Sequence, residues 1–106
     1  MPKYLVMANY TAEGTKGLVK EGGTSRRALV QKMTKALGGK MEAFYYAFGD
    51  TDAFVIVDVP DAKAMAAVSL AVNASGAVTV RTVPLLTAED MDDAAKQSVS
   101  YRAPGK

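Results

Sequence analysis

The sequence predicts one α+β domain: a four-stranded antiparallel sheet, two helices on one of its faces, and a short helix beyond the last strand. Three observations carry that expectation. Segments rich in β-branched and aromatic residues alternate with segments whose apolar residues recur every three or four positions, in the order β-α-β-β-α-β. The two middle strands are separated only by the polar turn Gly49-Asp50-Thr51-Asp52, which makes them an antiparallel hairpin. The chain has 106 residues and 49% hydrophobic content. That is enough to bury about 65% of the unfolded surface in one core, with no room for a second domain.

Lys3 to Tyr10 (KYLVMANY) is dense in apolar and aromatic residues and reads as the first strand. Thr11 to Gly23 holds Gly14, Gly17, Gly22 and Gly23 around Leu18 and Val19, which predicts a short helical turn and then a glycine break. Thr24 or Ser25 is positioned to cap a helix through Leu37, whose apolar stripe is Leu29, Val30, Met33, Ala36 and Leu37. Gly38-Gly39 ends it. Lys40 to Phe48 and Ala53 to Val59 are the hairpin strands. Asp61 caps an alanine-rich helix to about Val72, and Ala is the best helix former. Ala77 to Leu86 is the last strand, and Pro84 assigns it to an edge because proline has no N–H to donate. Thr87-Ala88-Glu89-Asp90 reads as a capping box that opens a short acidic helix to about Gln97. Residues 1–97 form the domain, and 98–106 are expected to be a flexible tail.

This order is the split β-α-β arrangement of ferredoxin-like folds, with both main helices on one face because crossovers are right-handed. The other face should then be polar, and it is not. On the first strand Leu5 and Met7 oppose Tyr4, Val6, Ala8 and Tyr10. On the third Val55, Val57 and Val59 oppose Phe54 and Ile56, with only Asp58 polar. On the second Phe44, Tyr46 and Phe48 oppose Met41, Ala43 and Tyr45. A partner sheet packed face to face is the simplest cover, so a homodimer or higher homo-oligomer is expected.

The segments KYLVMANYTAEG, GLVKEGGTSRRALVQKM, LGGKMEAFYYAFGDTD and LAVNASGAVTVRTVPLLT together resemble the GYD family of small bacterial proteins, from about Lys3 to Ala95. The resemblance implies a dimeric α+β barrel, in agreement with the two apolar faces. The family's Gly-x-Tyr-Asp motif falls on Gly49, Thr51 and Asp52, with Thr51 at the tyrosine position. It implies a fold and leaves the activity open.

Composition narrows the chemistry. With no His and no Cys, zinc and iron–sulfur sites, disulfides, and Cys or His catalysis are excluded, and neither metal nor cofactor is expected. Net charge is +2, too small to mark a polyanion partner, and the basic-aromatic strand signature of RNA-reading sheets is missing. No apolar run approaches the roughly 20 residues of a membrane span, and the N-terminus lacks a secretory pattern, so the cytoplasm is the expected location.

Three constellations remain. Tyr4, Tyr10, Tyr45 and Tyr46, with Asn9 beside them, are able to orient a small aromatic or enol ligand or to fill a core. Asp58 shares a face with Phe54 and Ile56 and needs a partner, for which Arg81 is the candidate, whether as an ion pair or as part of a ligand site. Asp50 and Asp52 share the turn and lie roughly 20 Å from Asp58, too far for joint metal binding. Arg26 and Arg27 follow Gly22-Gly23-Thr24-Ser25 at a helix start, suited to an anionic ligand or acidic partner, or else to a solvated or interface salt-bridge role. The expected function is binding of a small aromatic or anionic metabolite by an oligomer. A cofactor-free isomerase or oxygenase is the alternative, followed by a structural assembly protein.

Overall fold

The computed structural model describes residues 1–106. Strand β1 (Lys3–Tyr10) leads into helices α1 (Ala12–Glu21) and α2 (Gly23–Ala36), then the hairpin of β2 (Lys40–Tyr46) and β3 (Ala53–Asp58). Helix α3 (Ala62–Ala74), strand β4 (Val78–Leu85) and helix α4 (Ala88–Ala95) follow. The sheet order is β2-β3-β1-β4 with every pair antiparallel, the ferredoxin-like topology the sequence predicts. Pro84 does lie on an edge strand, opposite Tyr4. No helix is long and apolar enough to cross a membrane.

Side-chain caps fix three helix starts. The Thr11 hydroxyl accepts from the Gly14 N–H, and the Asp61 carboxylate accepts from the Ala64 N–H at 2.9 Å. At α4, Thr87 and Asp90 cap each other reciprocally, both at 3.0 Å. Accepting the Thr87 N–H holds the Asp90 carboxyl below its ordinary value.

The segment before α2 departs from the expected single turn: α1 is a full ten-residue helix. Gly14 belongs inside it because a Cβ there would collide with the Ala77 carbonyl, which also accepts from Thr11 N–H and hydroxyl. Neither Thr24 nor Ser25 caps α2. The cap is Gly22, whose φ of 93° lets two helices meet without an intervening loop.

Strand β2 also differs from simple alternation. Met41 opposes Val57 and Ala43 opposes Ile56, so Glu42 is an extra, bulged residue. The bulge turns Met41 onto the helix face with Phe44 and leaves Ala43 and Tyr45 on the other. Strand β2 ends at Tyr46, and Phe48 stands fully exposed in the hairpin loop.

The core lies between sheet and helices, where Val6, Val55, Val57, Val59 and Met65 are buried against Val30 of α2 and Val68 of α3. A second cluster of Ala8, Ala53 and Val78 lies toward the hairpin end. The opposite face presents Leu5, Met7, Tyr45, Phe54, Ile56 and Val83, and no helix is seated on it. Tyr45 there is 71% exposed. Helix α4 has no buried residue and projects away. The radius of gyration is accordingly 16.9 Å, against about 13 Å for a compact chain of this length. Residues 98–106 are exposed and form no helix or strand.

Candidate functional site

Helix α2 packs along β2 and helix α3 along β4, the two edges of the sheet, with no substantial contact between them. Three strand spacings separate those edges by about 14 Å, more than the 8–10 Å at which two helices pack. The resulting gap lies above the centre of the sheet. At its base is a narrow cavity of about 60 Å³ in which 15 of 17 lining residues are hydrophobic. Toward solvent, between α1, α2 and the C-terminal end of α3, is a cleft of about 620 Å³. Tyr10, Arg26, Val30, Met33, Val72 and Val78 line both spaces, so the two adjoin. A cleft of that size, mostly apolar with a few polar groups, matches the usual dimensions of a small-molecule site.

Two of the polar groups come from the expected constellations. Arg26, in the first turn of α2, is half-buried and forms neither a side-chain hydrogen bond nor an ion pair. Tyr10, the last residue of β1, is fixed by its backbone: its N–H donates to the Asp52 carboxylate at 2.9 Å where the β1–β3 ladder has ended. Behind these stands Tyr46, whose hydroxyl donates to the Gly23 carbonyl at 3.0 Å and whose ring meets Phe44 edge-on. Burial, and then the adjacent Tyr10 phenol, raise the Tyr46 pKa above the ordinary value, so it stays protonated through neutral pH. Glu13 and Glu21 of α1 lie on the outer rim of the cleft.

The remaining candidates lie elsewhere. Arg27 points into a shallow depression with Gly23, Thr24, Phe44 and Tyr46. Tyr4 packs against the core, and Tyr45 is on the open face. Asn9 does not serve the phenol cluster; it faces the open side and its amide donates to the Asp50 carbonyl at 2.7 Å. Within the chain Asp58 pairs with Lys3 at 2.9 Å and not with Arg81. The register explains this, because Lys3 is directly opposite Asp58 while Arg81 is opposite Met7, four residues along β1. Lys3 also binds Glu42 at 2.7 Å, and these two carboxylates raise the Lys3 pKa. The Arg81 guanidinium donates instead to the Thr51 hydroxyl at 3.0 Å.

The turn at Gly49, Thr51 and Asp52 therefore works as a clamp. Asp52 holds the end of β1, Thr51 holds β4, and the Asp52 N–H donates to the Ala8 carbonyl. Asp50, Asp52 and Asp58 assemble no group of three that could hold a metal ion.

Leu18, Met33, Val72 and Val78, all lining the cleft, were not among the candidates. Their only signal is membership of an apolar stripe, the same pattern that a closed core produces. Lys3 as the partner of Asp58 depends on strand register, which the sequence alone leaves undetermined.

The family model for the GYD domain matches residues 4–95. No curated protein and no solved structure matches the chain. The chain belongs to the GYD family.

Proposed function

We propose that this GYD-family chain is an oligomeric binding protein for a small organic metabolite, with the ligand in the cleft above β1 and a second copy of the chain on the open sheet face. The observation that carries the ligand reading is the open gap between α2 and α3, with its apolar walls and an unpartnered guanidinium at the junction of cavity and cleft. A core helix pair would close such a gap, and an apolar cleft left open to water costs burial energy at about 25 cal/mol per Å². The oligomer is supported by the open face, where exposed Tyr45, Phe54 and Val83 surround Leu5 and Ile56.

The test is a thermal-shift screen of the full chain against aromatic and aliphatic carboxylic acids, phenols and neutral aromatics. The control is Ala71→Trp, which fills the cleft from an exposed position on α3. At least one class should raise the melting temperature of the natural chain and none should raise that of the filled variant. Stabilisation that persists in Ala71→Trp, or no stabilisation by any class, contradicts the reading.

A further inference from the structure

We infer that the cleft selects singly charged organic anions: an apolar, preferably flat body carrying one carboxylate, with that carboxylate on the Arg26 guanidinium. This rests on the cleft being the ligand site. Arg26 is the only cation that lines either the cavity or the cleft, and it lines both. The residue is half-buried and its guanidinium has no protein partner. A carboxylate in bidentate contact supplies that partner, and guanidinium geometry suits the contact.

The charge of the ligand is limited by the rim. Glu13 and Glu21 face the same cleft, so three ionised groups surround it with a net charge of −1. A phosphate monoester or a dicarboxylate would direct its second charge toward those glutamates. A monocarboxylate turned inward toward Arg26 keeps its uncharged end toward the rim or the apolar walls. The body is set by the lining: below Arg26 the cavity is walled by valines, Phe44 and Met65, and Tyr10 is the one polar ring. Tyr10 is held in place through Asp52, which makes Asp52 of the family motif a positioning residue for this site.

The test is calorimetric titration of the full chain with three probes that share one aromatic body: 1-naphthoate, 1-naphthalenemethanol and 1-naphthyl phosphate. Each is titrated into the natural chain, Arg26→Gln and Arg26→Lys, with circular dichroism confirming that the variants fold. Naphthoate should bind at least about tenfold more tightly than either other probe, as one charge-assisted contact implies. Arg26→Gln should lower naphthoate affinity by about 10- to 100-fold and leave the alcohol within about twofold, and Arg26→Lys should fall between. Equal affinity for naphthoate and the alcohol, or indifference to Arg26→Gln, overturns the charge selection while the cleft survives. Tightest binding of the phosphate overturns the single-charge limit. If no probe binds, the cleft reading falls and the ligand class falls with it.

Discussion

The helix face and the open face of the sheet are built from the same kinds of residue, yet their charges are placed differently. On the open face the polar side chains of β1 and β4 have partners within the chain: Lys3 holds Asp58 and Glu42, Arg81 holds Thr51, Asn9 holds the Asp50 carbonyl and Thr79 holds the Asn9 carbonyl, while Lys40 and the Tyr45 hydroxyl on edge strand β2 have none. On the helix face the guanidinium of Arg26 is left without one. A surface to be covered by another apolar surface must satisfy its polar groups in advance, because an unpaired charge buried there costs several kcal/mol. A surface that receives a charged ligand keeps one group free for it. Apolar patterning marks two faces that need cover, and the disposition of their charges distinguishes the covers proposed for each.

The largest expected effect breaks the open face. Ile56→Lys puts a charge at its centre, opposite Leu5 and Ala43. Light scattering at micromolar concentration should give twice 11.2 kDa or a higher multiple for the natural chain, and 11.2 kDa for the variant. Naphthoate affinity should be unchanged. A natural chain that is monomeric there removes the second copy from the comparison.

Next in size is a contrast within the helix face. Met65 is buried under α3, and Met65→Ala should cost about 2–5 kcal/mol in urea unfolding. Met33 lines the cleft and is half-buried, so Met33→Ala should cost less than about 1 kcal/mol. Equal costs would mean that the cleft is closed in solution.

Smaller again is the Lys3 cluster. Its pKa is raised in the folded state by Glu42 and Asp58, so its contribution is fully present below 10.5 and is lost as pH rises through the folded value. Lys3→Met should flatten the alkaline limb of the stability curve. The raised Tyr46 pKa acts in the same alkaline window, from 10.0 upward. Tyr46→Phe therefore separates the two contributions.

The smallest effect concerns α4, which belongs to neither face. Thr87→Ala removes its cap, worth about 1 kcal/mol to the helix. Because α4 buries nothing, hydrogen exchange should accelerate from Ala88 to Ala95 while the global unfolding midpoint stays put. A lowered midpoint would show α4 packed on a second copy.

Most of the fold was legible because its signals are local. Period-two alternation along Tyr4, Val6, Ala8 and Tyr10 marks the helix face, and Asp61, Thr87 and Gly38 mark helix ends where the structure has them. What was not legible depends on tertiary contact. Glycine density concealed α1, whose Gly14 is explained only by the Ala77 carbonyl beside it. The Glu42 bulge reverses the face of Met41, and nothing in KMEAFYY announces it. The partner of Asp58 is Lys3 and not Arg81, because a charge on an apolar face signals a need without naming who meets it. At the site, Tyr10 and Arg26 are legible as residue types suited to a ligand, and Arg26 through its place at a helix start. The cleft that joins Tyr10 to Arg26 comes from helix spacing over the sheet, which no residue pattern encodes.

The division of labour between the faces is tested most directly by methyl NMR of the full chain during a titration with 1-naphthoate. Shifts should concentrate on Val30, Met33, Val72 and Val78, which line the cleft, and leave Leu5, Ile56 and Val83 in place. Shifts concentrated on Leu5, Ile56 and Val83 would assign the ligand to the open face and contradict it.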